Sequence, residues 1–294
     1  MNKKPVVCIT GCSSGFGLSM AVYLASSCQV IATIRDLSKR GDLDKALKET
    51  GAQVDIQRCD VTNAESIQAL QEYIVREYGE LQCLINNAGL ALAGFFEELD
   101  DNDIRQLMET NFFGLLSLTR VFLPLLRASN RARIINISSI AGLTGTPTLS
   151  VYNASKWAVE GFSEALYFEL KPYNIDVVCI EPGPFQTKIF DENLKLSAKI
   201  LDTESIYYEK SVRLLQRVQK SIQKGMDDPI EVAYLVEKII FSKTVKFRYL
   251  IGSQAKIRAF LKKYLPFSCY QWLVFRVLNK LWAANHGSVA KYPI

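Results

Sequence analysis

Histidine is almost missing from this chain: of 294 residues only His286, near the C-terminus, is one. That scarcity excludes a Ser–His–Asp triad and any metal site built on several imidazoles. The seven cysteines, at positions 8, 12, 28, 59, 83, 179 and 269, are odd in number and form no C-x-x-C pair. Such scatter fits neither a disulfide framework nor a zinc knuckle, and points to reduced, mostly buried thiols in a cytoplasmic setting. No stretch approaches the roughly 20 apolar residues a membrane-spanning helix needs. Two lysines precede the apolar run Val6–Ile9, but the run is short and a glycine-rich loop stands where a signal peptide would be cleaved. Acidic residues stop at Glu237, whereas eleven of the 35 Lys/Arg lie beyond it. The net charge of +5 therefore conceals an acidic body joined to a wholly basic end.

What is present describes a folded core, since 49% of the residues are hydrophobic and 22% charged. Short apolar runs rich in β-branched residues occur at Val6–Thr10, Gln29–Ile34, Val54–Gln57, Leu81–Ile85, Arg133–Ser138, Ile175–Glu181 and Phe247–Ile251. Runs of this kind suit strands buried on both faces of a parallel sheet. Amphipathic helical patterns fall between them, near 15–27, 42–50, 63–78, 103–128, 151–171 and 228–242. The alternation predicts an α/β fold: one doubly wound, Rossmann-type parallel sheet of about seven strands with helices on both faces. No repeat or low-complexity linker interrupts it. Residues 1–253 form the expected catalytic domain, within which 185–225 read as a substrate lid; 254–294 form a basic, amphipathic helical appendix.

Three motifs carry chemistry. Thr10–Gly17 follows the first strand and opens the first helix, with glycines at 11, 15 and 17. Glycines there permit a tight turn and let backbone approach a pyrophosphate, which the helix N-terminus attracts. Gly11, Ser13, Ser14, Gly15, Phe16 and Gly17 are the candidate contacts for a dinucleotide. At the end of the second strand, Ile34 occupies the position where an NAD site places an acid, and Arg35 follows. With Ser13 or Ser14, Arg35 suits a 2′-phosphate, which favours NADP(H). Asp36 is one residue further on, so NAD(H) stays open. Tyr152 and Lys156 stand one helical turn apart, where the ammonium is expected to favour the phenolate and lower the tyrosine pKa.

These motifs, taken in order with Asp60–Val61, Asn86–Gly89, Asn111, Ser139 and Pro182–Gly183, resemble the short-chain dehydrogenase/reductase superfamily over residues 5–251. Gly11–Gly15 and Ala32–Asp36 resemble the branch of 17β-hydroxysteroid and retinol dehydrogenases. The resemblance implies that Asp60 and Val61 face the adenine, that Asn87, Ala88 and Gly89 support the cofactor, and that Pro182, Gly183 and Thr187 hold its nicotinamide end. It implies that Tyr152 is the acid/base, that Ser139 hydrogen-bonds the reacting oxygen, and that Lys156 holds the nicotinamide ribose. Asn111 would bend a helix and fix a water leading to Lys156. The thirteen-residue spacing to Tyr152 selects Ser139 over Ser138.

The expected activity is NADP(H)-dependent interconversion of a ketone or aldehyde and an alcohol on a steroid, retinoid or long-chain lipid. Leu90–Phe96, Leu143, Leu149, Phe185, Ile189 and Phe190 are the candidate apolar walls. The absence of a histidine before His286 weighs against an estrogen site. Residues 254–283 pair an apolar stripe (Ile257, Phe260, Leu261, Tyr264, Leu265) with Lys256, Arg258, Lys262 and Lys263, and add a second apolar face from Trp272 to Trp282. Such helices suit peripheral contact with an anionic membrane; a homodimer interface or packing on the core are the alternatives. Basic residues interleaved with bulky apolar ones do not suit nucleic acid. NAD-linked oxidation, a non-catalytic dinucleotide sensor and a membrane-surface scaffold are the competing readings.

Overall fold

Val6–Ile9, the first strand (β1), alternates its side chains between two cores, as a period of two requires. Val7 and Ile9 belong to one core, Val6 and Cys8 to the other. The computed structural model describes residues 3–185, 194–223 and 227–282. Its remaining main strands are β2 (Gln29–Ile34), β3 (Asp55–Arg58), β4 (Cys83–Asn86), β6 (Ala132–Ile137), β7 (Ile175–Pro182) and β9 (Arg248–Ile251). They form a seven-stranded sheet of order β3-β2-β1-β4-β6-β7-β9, and every neighbouring pair is parallel. The doubly wound sheet predicted above is therefore present, with each strand within two residues of its expected bounds.

One core lies under α1 (Gly15–Leu24), α2 (Gly41–Thr50) and α8 (Ile230–Phe241), through Met20, Leu24, Leu43 and Val236. The other lies under α3 (Ala64–Glu77), α5 (Gly114–Ala128) and α6 (Ser150–Leu170), through Ile67, Leu70, Phe122 and Leu166. Successive strands run outward from β1 in one direction and from β4 in the other. Their carboxyl ends diverge between β1 and β4, and open α/β sheets bind ligands in the crevice outside such a switch point.

Two local features go beyond the sequence reading. The helix expected over 103–128 is divided into α4 (Asp101–Met108) and α5 by a π-helical turn at Glu109–Phe113. Ala91–Ala93, expected as pocket wall, is instead a short strand (β5) paired in parallel with β8 (Leu194–Leu196). After β8 the chain forms α7 (Tyr208–Gln223). Beyond β9 come α9 (Ser253–Tyr264) and α10 (Phe267–Trp282), separated at Pro266. Leu265 ends α9 in an extended conformation, which the steric demand of the following proline favours. No helix among the described residues is long and apolar enough to cross a membrane.

Candidate active site

The crevice at the carboxyl ends of β1, β4, β6 and β7 is a cleft of about 770 Å³. The glycine-rich turn forms one side of it. Gly11 has φ +73°, and a Cβ there would stand 2.9 Å from the Cα of Ala88. Gly17 does not face the cleft: a Cβ on it would lie 2.2 Å from the carbonyl oxygen of Gly11. Its part is to let the helix close on the turn. Thr10 ties the turn to the end of β4, its Oγ1 accepting from the backbone N–H of Asn87 and of Ala88 at 3.0 Å each. Asn87 returns the contact, donating through Nδ2 to the carbonyls of Thr10 at 2.8 Å and Gly11 at 3.1 Å. Thr10 was not among the predicted contacts, although its place just before Gly11 was the available signal.

Gly11, Ser13, Ser14, Gly15, Phe16, Arg35, Asp60, Val61, Asn87, Ala88, Gly89, Pro182 and Gly183 all line the cleft, together with Tyr152 and Lys156. Thr187 lies outside the described residues. At the end of β2, Ile34 is buried in the core and Arg35 lines the cleft. Asp36 does not line it. Its carboxylate caps the turn Leu37–Lys39, accepting from the N–H and the hydroxyl of Ser38 at 3.0 and 2.7 Å. These bonds to Ser38 hold its pKa below the usual carboxylate value. The tight glycine turn at the start of α1 fits a dinucleotide, with backbone free to approach a pyrophosphate.

Ser139, Tyr152 and Lys156 line the same cleft. Ser139 leaves β6 in extended conformation, and its Oγ accepts from the N–H of Ala141 at 3.1 Å. Ser138 is buried and packs toward Gly142, where an added Cβ would lie 2.9 Å from its Oγ. On α6, Lys156 is buried and its Nζ donates to the carbonyl of Ile137 at 2.9 Å, 5.9 Å from the centre of the Tyr152 ring. Burial pulls Lys156 down to about 8, against the pull of Glu160 in the other direction. Burial raises Tyr152 above its ordinary value, and a hydrogen bond with Ser139 partly offsets that. The expected lowering of the tyrosine by Lys156 does not appear in this arrangement, where burial dominates and the ammonium donates to the Ile137 carbonyl. The phenol holds its proton at neutral pH.

Asn111 sits in the π-helical turn and is buried away from the cleft. Its Oδ1 accepts from the N–H of Leu90 at 2.8 Å, and its Nδ2 donates to the Leu90 carbonyl at 2.9 Å and to Ser155 Oγ at 3.1 Å. It therefore pins the Gly89–Leu90 segment to α6.

Of the apolar wall, Leu90, Leu149 and Phe185 line the cleft. Phe185 is fully buried, edge-to-face on Phe16 with ring centroids 5.3 Å apart, so it belongs as much to the core. Leu143 does not reach the cleft, because the one-turn helix Ile140–Gly142 carries it past the rim. Ile189 and Phe190 lie outside the described residues. The larger part of the wall comes from the tail: Leu261 on α9 and Leu273, Val274, Val277 and Leu278 on α10, with Leu214 of α7. Sequence reasoning placed Leu261 in one stripe with Ile257, Phe260 and Tyr264, but those three are exposed and Leu261 faces inward. Among the described residues no group of three or more His, Cys, Asp or Glu is placed to hold a metal.

Residues 5–196 match the pattern of a family described as short chain dehydrogenase. The chain is 34% identical over 268 residues to the 3-ketodihydrosphingosine reductase of Bacteroides thetaiotaomicron, covering 91% of this chain and 95% of that one. It is 35% identical over 245 residues to retinol dehydrogenase 8 of Bos taurus, covering 80% of this chain and 78% of that one. Among solved structures, a short chain dehydrogenase/reductase from Burkholderia phymatum in complex with NAD superposes with a TM-score of 0.75 at 26% identity, over 99% of both chains.

Proposed function

The chain belongs to the short chain dehydrogenase family, and from that membership we propose that it interconverts a ketone or aldehyde and an alcohol on a hydrophobic substrate, using NADP(H). The observation that carries this reading is one cleft lined together by Ser139, Tyr152 and Lys156, by the glycine turn and Arg35, and by an apolar wall.

When bound, the nicotinamide supplies or accepts the hydride. Tyr152 gives its proton to the carbonyl oxygen as reduction proceeds, and Ser139 donates a hydrogen bond to the same oxygen. A phenol raised by burial retains the proton that a donor needs. Lys156, half-neutralised near pH 8, is poised to replace it. Arg35 and the diversion of Asp36 onto Ser38 support NADP(H) over NAD(H). The apolar wall, and relatives named for a long-chain ketone and for retinol, support a lipid-like substrate.

The exposed side of the tail supports peripheral contact with an anionic membrane. Ile257, Phe260, Tyr264, Phe267 and Trp272 are each more than half exposed, and Lys262, Lys263 and Arg276 lie over the rings of Phe267, Tyr264 and Trp272. Basic and aromatic groups together suit the headgroup region. The enzymatic reading is tested by mixing the purified chain with NADPH and a panel of ketosteroids, retinal and long-chain ketones, following loss of the reduced cofactor. Substrate-dependent oxidation is expected with at least one; dinucleotide binding without oxidation of any would point to the sensor reading.

A further inference from the structure

Arg258 reads in sequence as one of the outer cations of the tail, but α9 turns it into the cleft. Its Nη2 donates to Thr144 Oγ1 and to Thr146 Oγ1, both at 2.8 Å. Those acceptors are neutral, and among the described residues the ionisable group that acts on it is the phenol of Tyr270, not a carboxylate. A guanidinium carries five N–H donors on three nitrogens. Here both bonds come from one nitrogen, so Nε and Nη1 have no protein acceptor among the described residues. Burial holds its pKa below the usual arginine value. Arg258 is half-buried, and even partial withdrawal of a cation from water without a carboxylate beside it carries a cost.

Its position relative to the reacting groups is fixed. Asn153, the neighbour of Tyr152, donates through Nδ2 to the carbonyls of Ala141 at 2.8 Å and Thr144 at 2.7 Å, and accepts from the N–H of Thr146 at 3.3 Å. The segment that holds Arg258 is thereby clamped to the turn of α6 that bears Tyr152. The cleft it enters is lined by Leu149, Leu261, Leu273, Val274 and Leu278, with the phenol of Tyr270 close enough to act on the guanidinium. A lone cation with spare donors in an apolar cleft matches a ligand that is hydrocarbon over most of its length and bears one oxyanion.

We propose that Arg258 anchors an acidic oxygen group, a carboxylate or phosphate, on an otherwise apolar carbonyl substrate. This rests on the oxidoreductase reading above and narrows its substrate class. Neutral steroids or retinoids leave the guanidinium unmatched, and a ketone bearing an amine sets like charge against it. The other source of an oxyanion in this cleft is the cofactor's own diphosphate. A third role, pinning α9 to the Thr144–Thr146 segment, needs no ligand at all.

The test compares a long-chain keto acid with its methyl ester and with 3-ketodihydrosphingosine, using the full chain and NADPH. The wild type is expected to prefer the acid to the ester, and the ester to the amine. Arg258→Gln should lower the acid-to-ester ratio of kcat/KM about tenfold or more, and Arg258→Lys should restore part of it. The ratio isolates the charge, since a folding or pinning defect lowers both substrates together. An unchanged ratio in Arg258→Gln, a preference for the amine, or a rise in the KM for NADPH alone would overturn the proposal. If none of the three is reduced, calorimetric titration of the saturated fatty acid against its methyl ester decides the matter without turnover. Acid binding that is stronger than ester binding and lost in Arg258→Gln supports the anchor even where the catalytic reading fails. Equal binding of acid and ester overturns it.

Discussion

Arg35 and Asp36 are adjacent in sequence, yet only Arg35 lines the cleft, which is the ground for the NADP(H) preference proposed above. The arginine follows β2 and lines the cleft, whereas the aspartate caps the next turn. Arg35→Ser is therefore expected to raise the KM for NADPH about tenfold or more while changing that for NADH far less, as steady-state kinetics with both cofactors would reveal. Equal effects on the two cofactors would mean that Arg35 does not meet the phosphate. Sequence placed both residues near the ribose, and could not say which side chain turned away, because Asp36 is diverted by a hydroxyl two residues on. The same limit applies at Tyr152. A one-turn spacing from Lys156 is plain in the sequence; that the ammonium is engaged by the Ile137 carbonyl and the phenol desolvated is a property of packing.

Elements, rather than single residues, explain the buried charges behind the site. Arg248 on β9 bridges Glu160 and Glu164 on α6 and Glu181 on β7, at 3.1, 3.0 and 3.2 Å. Glu160 and Glu181 are both buried, and burial together with the neighbouring Glu160 pushes Glu181 well above the carboxylate range. A carboxyl whose folded pKa is raised binds its proton more tightly folded than unfolded. Its stabilising share is complete below the ordinary carboxylate pKa and is lost as pH rises through the raised value. Glu181→Gln keeps the neutral shape and cannot ionise. Wild type should lose stability relative to Glu181→Gln as pH rises from the carboxylate range toward neutral and beyond, in urea titrations at a series of pH values. A constant difference would mean that Glu181 is ionised in the folded protein. The elements themselves were largely legible. Fully buried parallel strands are written as short β-branched runs, and six helices carried their period openly. The pair β5–β8 was not legible, since three-residue strands drawn from segments a hundred residues apart leave no local pattern. The resemblance implied a bend at Asn111, but not its form, a π-turn that sets Asn111 against Leu90.

At the scale of the whole molecule the tail has two jobs on two faces. Its inner side completes the cleft through Leu261, Leu273, Val274 and Leu278, and its outer side presents aromatic and basic groups to the surroundings. Sequence showed an amphipathic, basic appendix, but apolar residues stand on more than one side of each helix, and only tertiary packing reveals which side is wall. Truncating the tail would remove both faces together. Point changes separate them. Leu273→Ser is expected to raise the KM for an apolar ketone and leave vesicle binding intact. Phe260→Ser with Phe267→Ser is expected to weaken cosedimentation with anionic vesicles and leave that KM near wild type. If the outer pair has no effect on vesicles, the tail is a wall alone. The proposed activity depends on the cleft transferring hydride with Tyr152 as proton donor. The most direct measurement supplies the full chain with a hydrophobic ketone and NADPH deuterated at the transferred position, for wild type and for Tyr152→Phe. Wild type should place deuterium on the carbinol carbon, and Tyr152→Phe should still bind NADPH while its rate falls about a hundredfold or more. Alcohol without deuterium, or an undiminished rate in Tyr152→Phe, would contradict it.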